Sequence, residues 1–325
     1  MAKDAMGGTE LMMRALYDGR IARELLQEYQ IIPGRITELK PDKLRILYLH
    51  DLPNDPESAH LADGGWSKFH KLVFVSQYQM QAYISHFSIP WSKCVVMQNA
   101  IKPLEMKSNS MDKIKLIYHS TPHRGLNLLY PVFAKLAEED PNIELNVYSS
   151  FGLYGWKDRD ENYKELFDAI KAHPQCNYYG SVSNDEVRKA ISESHIFAYP
   201  SVWPETSCLC LMEAMSAGIV CVHPNLAALP ETAANWTMMY QWQDDMNTHA
   251  NVFYGCLAST IDLLRRDAEN TPLRVANQKA YADLFYGWEL RTRQWTALLQ
   301  SMINEPREIK EAYGEMFSVD TNAAA

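Results

Sequence analysis

The chain alternates short apolar runs with longer segments of helical period. Seven runs read as strands: 45–49 (RILYL), 71–76 (KLVFVS), 93–97 (KCVVM), 114–119 (IKLIYH), 143–149 (IELNVYS), 195–201 (HIFAYPS) and 218–223 (GIVCVH). Each is short and rich in β-branched and aromatic side chains. Their nearly continuous apolar character suits parallel strands covered on both faces. Between them, 126–139 places Leu129, Val132, Phe133 and Leu136 on one helical face, with Pro131 expected in the first turn. Residues 185–194 bring Val187, Ala190 and Ile191 together behind an Asn184 or Asp185 cap. A third helix over 207–217 is stopped by Gly218. Strands alternating with helices are the signature of doubly wound α/β domains.

The polar segment 102–113 (KPLEMKSNSMDK) carries Pro103 and lies between two strands, so it marks a boundary. The expected units are an N-terminal α/β domain over 1–106 and a C-terminal one over 107–282. Residues 281–303 read as one aromatic-rich helix with Trp288 and Trp295 on one face. The part from 283 to 303 is expected to pack across both domains, with ordinary core packing as the other explanation. The tail, 304–325, is polar and ends NAAA, and is expected to be loosely ordered.

Composition narrows the class. A length of 325 residues suits about two domains. The 47% hydrophobic, 22% charged chain excludes disordered, collagenous and disulfide-scaffold proteins. A net charge of −9 argues against a nucleic-acid partner, because phosphate contacts need a basic surface. It gives no general pull toward anionic lipid. The six cysteines, Cys94, Cys176, Cys208, Cys210, Cys221 and Cys256, include no C-x-x-C pair. They read as small buried residues in a reducing compartment rather than as metal ligands. No apolar stretch reaches the ~18–20 residues of a membrane span, and MAKDAMGGTE lacks the apolar core of a signal peptide. A soluble cytoplasmic protein is expected, with peripheral attachment to a membrane left open.

The segment 195–223 concentrates the candidate chemistry. It parses as strand, loop, helix and strand, with the loop PSVWPETS at the carboxyl end of the first strand. Ligands of open α/β sheets bind at that end. The following helix offers free N–H groups and its positive dipole end, which suits a phosphate or diphosphate. Thr206 or Ser207 is placed either to cap that helix or to reach a ligand. Glu205 and Glu213 stand eight apart, in the loop and in the helix. Glu213 lies in the apolar turn LMEAM, where a carboxylate is costly without partners.

The stretch from Pro204-Glu205 to Glu213-Ala214-Met215-Ser216-Ala217-Gly218 resembles the Glu-x7-Glu motif of retaining, nucleotide-sugar-dependent glycosyltransferases of the GT-B fold, in particular the "group 1" family, glycosyltransferase family four. Other segments agree in order: Met6-Gly7-Gly8-Thr9-Glu10 resembles the family's Gly-Gly loop and Leu49-His50-Asp51 its strand-end histidine. Phe74-Val75-Ser76, Gln98-Asn99-Ala100, Ser120 to Leu126 and Leu229-Pro230-Glu231 resemble further family positions, and the Trp288–Trp295 segment its C-terminal crossover helix. The resemblance covers roughly residues 5–303.

The resemblance implies two Rossmann-like parallel-sheet domains facing a cleft, with the C-terminal helix crossing back. A nucleoside diphosphate sugar would sit mainly on the C-terminal domain, and a glycan or other hydroxyl acceptor on the N-terminal one. No cofactor or metal is implied. His50, Arg124 and Glu205 would carry the chemistry. Gly7, Gly8, Arg124, Gly180, Val182, Glu205, Thr206, Ser207, Cys208, Leu209 and Glu213 would bind the donor. Arg124 and the helix N-terminus would stabilise the leaving diphosphate, Glu205 would hold sugar hydroxyls, and Glu213 the ribose. The chain also departs from the pattern. Only six residues, which form no apolar run of strand length, precede Gly7, leaving a missing first strand, a sheet that begins differently, or a truncated sequence as alternatives. The basic loop has Arg124 but no lysine, with His119 and His123 flanking it, and Cys208 stands where many members have glycine. Rival readings are a GT-B epimerase, a phosphorylase, for which no pyridoxal lysine stands out, and a non-catalytic nucleotide-sugar-binding subunit.

Overall fold

The computed structural model describes residues 7–36 and 38–309. Met6 of the Gly-Gly motif and most of the polar tail lie outside them. The first unit runs α1 (Gly8–Leu16), α2 (Arg23–Leu26), β1 (Tyr29–Ile32), β2 (Leu44–Leu49), β3 (Lys71–Phe74), α3 (Gln77–Phe87) and β4 (Cys94–Val96). The second runs β5 (Ile114–Tyr118), α4 (Leu126–Glu139), β6 (Ile143–Val147), α5 (Lys164–Ala172), β7 (Cys176–Tyr178), α6 (Asn184–Ser192), β8 (Ile196–Ala198), α7 (Leu209–Ser216), β9 (Val220–Pro224), α8 (Leu229–Ala233) and β10 (Met238–Tyr240). Three helices follow: α9 (Met246–Arg266), α10 (Thr271–Phe285) and α11 (Trp288–Met302).

Both sheets are wholly parallel. The first has the order β1-β2-β3-β4. The second has the order β10-β9-β8-β5-β6-β7. Counted within its own unit, the second order reverses direction between β5 and β8, as in doubly wound nucleotide-binding sheets. The apolar runs explain the placement. Ile114, Leu116, Ile117 and Tyr118 of β5 and all of β8 are fully buried at the sheet centre. In the first sheet, alternation sorts the side chains of β2. Ile46 and Tyr48 join the core under α1, whereas Leu47 and Leu49 join the core under α3.

Several expectations are corrected. The strands β1, β7 and β10 are not among the seven apolar runs. Among the described residues the first sheet starts at β1, after α1 rather than before it. Pro131 sits beyond the first turn of α4. The carbonyl that its missing N–H leaves unpaired belongs to the exposed Asn127, where water can serve it. Helix α6 is capped one residue early: Ser183 and Glu186 form a reciprocal capping box. The stretch 281–303 is two helices rather than one. Gly287 takes extended backbone as the N-cap of α11, and a Cβ there would lie 2.4 Å from the carbonyl oxygen of Asp283. The residues 283–285 therefore belong to α10.

Helix α11 leaves the second unit and packs on the first. Trp295, Leu299 and Met302 share a core with Met12, Leu16 and Tyr48, and the Tyr29 hydroxyl donates to the carbonyl of Leu299. The linker and this return crossing run side by side, with the Ile101 N–H donating to Tyr286 O at 2.7 Å. Trp295 is only 1% exposed and meets Tyr48 edge-on at 5.1 Å. We expect Trp295→Ala to cost about 3–5 kcal/mol, read as a lower urea midpoint. Trp91→Ala, at a position 69% exposed, should stay within ~0.5 kcal/mol of the parent.

Candidate active site

The chain leaves β5 and β8 toward opposite faces of the second sheet, and the loops after them meet at the crevice this creates. Gly125 allows the meeting. Its φ is +124°, and a Cβ there would lie 2.3 Å from the carbonyl oxygen of Pro200. The Val202 N–H donates to Arg124 O at 3.3 Å across the same contact.

This brings Arg124 and Glu205 together, 81 residues apart in sequence. Arg124 Nη1 lies 2.7 Å from both carboxylate oxygens of Glu205. The Tyr199 hydroxyl donates to Oε1 at 2.5 Å. Glu205 is 3% exposed, and burial pushes its carboxyl up against the opposing pull of Arg124 and Tyr199. Burial is the largest single influence on Arg124 and works against its charge, but Glu205, Tyr199, Tyr154 and Cys210 together outweigh it and hold the guanidinium well above its ordinary value.

Glu213 has a separate partner. Its Oε1 accepts from Arg188 Nη1 of α6 at 2.7 Å. Arg188 Nη2 donates to the carbonyls of Lys102 and Pro103 in the linker. Burial raises the Glu213 carboxyl, with His119 and Arg188 opposing.

At the start of α7 the N-cap is Cys208, without a side-chain acceptor, so neither Thr206 nor Ser207 caps the helix. Thr206 reaches across to the first unit and donates to His50 O at 2.6 Å. Ser207 Oγ is buried with no partner, and the Cys210 thiol donates to His119 O at 3.0 Å. The Gly-Gly loop faces this corner. A Cβ at Gly7 would lie 2.7 Å from the Tyr154 ring, and one at Gly8 would lie 3.1 Å from Leu209 Cδ1. The His50 ring lies 4.3 Å from that of Tyr48, and burial lowers its pKa to about 3. Gly180 and Val182 sit farther out, after β7, in a loop whose Ser181 neighbours the Gly152 turn.

Buried polar atoms without partners collect here: His50 Nε2, both ring nitrogens of His119, Thr121 Oγ1, His123 Nδ1, Arg124 Nε, Ser149 Oγ and Ser207 Oγ. All lie at or just beyond the carboxyl ends of β2, β5, β6 and β8. Folded proteins seldom leave such atoms unsatisfied, and a polar ligand is one thing that pairs them.

Three short motifs from the sequence converge on the joint between the units. The Glu231 carboxylate accepts from the N–H groups of Gln77 and Tyr78 at 2.9 and 3.1 Å, at the start of α3. Ser76 caps the same helix, and Gln98 Nε2 lies 3.5 Å from Glu231. Sequence reasoning missed Arg188, Tyr199 and Tyr154. Tyr199 had a signal, since a hydroxyl at the end of a buried strand needs an acceptor. Arg188 on a polar helix had none.

Residues 105–240 match the family model described as "Glycosyl transferases group 1", and the chain has the two-domain GT-B fold. The chain resembles the Anabaena protein Alr3699/HepE, solved in complex with UDP-glucose, at a TM-score of 0.63 and 17% identity over 80% of this chain and 72% of that one. It also resembles a glycosyltransferase from Rickettsia africae, at a TM-score of 0.60 and 16% identity over 94% and 84% of the two chains. One component of the human phosphatidylinositol N-acetylglucosaminyltransferase is 23% identical over 141 residues, which are 42% of this chain and 28% of the relative. The match thus spans little more than a quarter of that relative. Among the described residues no helix is long and apolar enough to cross a membrane.

The depressed pKa of His50 sets a direction for stability. Its folded value, about 3, lies below the ordinary 6.5. Its stabilising contribution is therefore complete above pH 6.5 and is lost as pH falls toward 3. Between pH 7 and pH 4, His50→Asn should lose less of its melting temperature than the parent does.

Proposed function

We propose that the chain transfers a sugar from a nucleoside diphosphate sugar to an acceptor hydroxyl, with retention of anomeric configuration and without a metal ion. The observation that carries this reading is the gathering of unpaired buried polar atoms around the Arg124–Glu205 pair at the sheet's switch point. A diphosphate at the start of α7 would receive the N–H groups of Cys208 and Leu209, the Ser207 hydroxyl and Arg124 Nε. As the sugar–phosphate bond breaks, negative charge grows on the leaving oxygen, and these donors stabilise it.

Glu205 has about four acceptor positions. Arg124 and Tyr199 take three, so one remains for a sugar hydroxyl. A carboxylate committed in this way is a poor base. The acceptor proton then leaves with the departing phosphate, on the face that the leaving group occupied, and the configuration is retained. Neutral His50, opposite Thr206, orients the transferred sugar. Glu213 takes the ribose hydroxyls, Gly7 and Gly8 admit the ligand closely, and the Gly180–Val182 loop meets the base.

The test is release of nucleoside diphosphate from UDP-, GDP-, ADP- and dTDP-sugars. One donor should be hydrolysed slowly, and Arg124→Ala and Glu205→Ala should each lower that rate by about 10²–10³. With an acceptor, proton NMR should find the product with the donor's anomeric configuration. An inverted product would overturn retention. No release and no thermal stabilisation by any of the four nucleotides would overturn the transferase reading.

A further inference from the structure

The loops after β6 and β8 carry aromatic rings outward from the candidate active site. Tyr154, which faces Gly7 across the cleft, lies 5.3 Å from Trp156 with the two rings tilted. The Arg159 guanidinium covers one side of Trp156 at 4.3 Å. His123, next to Arg124 in sequence, stacks on Phe151 at 5.2 Å and meets Trp203 at 4.9 Å. Burial, with Arg124 and Arg159 close by, lowers the His123 pKa to about 4, so this imidazole is neutral near pH 7. Trp156 is 49% exposed and Trp203 is 44% exposed. The rings therefore form a rim that starts at buried Glu205 and Arg124 and ends in solvent.

Large aromatic surfaces left open beside a polar crevice mark a binding surface. Their chemistry selects the ligand. An indole offers a broad apolar face and an N–H at its edge. A pyranose offers the complement, one face of C–H groups ringed by hydroxyls. The reacting groups lie in the buried part of the crevice, so the rim meets whatever extends out of it. A nucleoside diphosphate sugar ends within the crevice, whereas an acceptor of several sugar units does not.

We infer that Trp156 and Trp203 form an acceptor subsite for a glycan on the second unit, in addition to the first-unit side to which the family resemblance assigns the acceptor, with pyranose C–H faces packed on the two indoles and Arg159 beside the hydroxyls. This rests on the transferase reading and gives the acceptor its class: an oligosaccharide rather than a lone lipid or protein hydroxyl.

The experiment titrates the full chain with cellohexaose and chitohexaose, followed by saturation-transfer NMR and calorimetry, with nucleoside diphosphates titrated in parallel. At least one oligosaccharide should bind, with saturation strongest on its ring C–H protons. Trp156→Ala and Trp203→Ala should each weaken that binding at least tenfold and leave the melting temperature and nucleotide affinity unchanged. Trp91→Ala, at an exposed indole elsewhere, should change none of these. If the chain binds a nucleotide but neither oligosaccharide, the subsite is wrong and the transferase reading stands. If the tryptophan variants weaken nucleotide binding instead, the rim serves the base and the inference is overturned. If no nucleotide binds, the transferase reading falls and takes the subsite with it.

Discussion

A largely buried ion pair beyond the carboxyl ends of the second sheet's central strands organises the molecule. Two charges taken out of water are costly unless they are well paired and hydrogen-bonded. Arg124 and Glu205 meet that condition, with Nη1 bridging both carboxylate oxygens and Tyr199 adding a third bond. The pair exists only because β5 and β8 are neighbours and because Gly125 lets the loops after them touch. Losing Arg124 would leave the buried Glu205 charge alone, a loss typically worth about 3–5 kcal/mol. Stability and the proposed chemistry therefore depend on the same contact. Arg124 Nε, beside the pair, is buried without a partner.

Polar contacts join the two units beside the crevice, and apolar packing joins them away from it. Thr206 bonds the backbone at His50, and Glu231 occupies two N–H donors at the start of α3. A carboxylate at a helix N-terminus is favoured by the dipole, though only by roughly 0.3–1 kcal/mol at an accessible position. Such bonds break and reform readily with water. The buried Trp295 contact does not, so α11 holds the units together more durably than the polar contacts do.

Much of the fold is legible in the sequence, and the exceptions have physical reasons. The buried strands β5, β6, β8 and β9 read directly because both faces are covered and every position is free to be apolar. The strands β1, β7 and β10 are three or four residues long, and each lies at a sheet edge, too short for periodicity to show. The break falls at Gly287, the one glycine in 281–303 and a break signal in its own right, which the helical pattern on either side masks. At the site, residue types and loop positions are readable, but partnerships are not. Arg124 and Glu205 are both candidates on sequence alone, yet their pairing across 81 residues needs the strand order. Arg188 becomes visible only once α6 is seen against Glu213. The short Ser76, Gln98 and Glu231 motifs make sense as one joint only after the units are placed together.

The central claim is that Arg124 and Glu205 act as one unit in holding a nucleoside diphosphate. A double-mutant cycle tests it most directly, using calorimetric affinities of Arg124→Ala, Glu205→Ala and the double variant for whichever of UDP, GDP, ADP or dTDP binds the parent. Because Glu205 positions Arg124, the account predicts strong non-additivity: the double variant should bind about as weakly as Arg124→Ala alone, with a coupling of about 1 kcal/mol or more. Independent, additive losses would contradict it. So would a parent chain that binds none of the four.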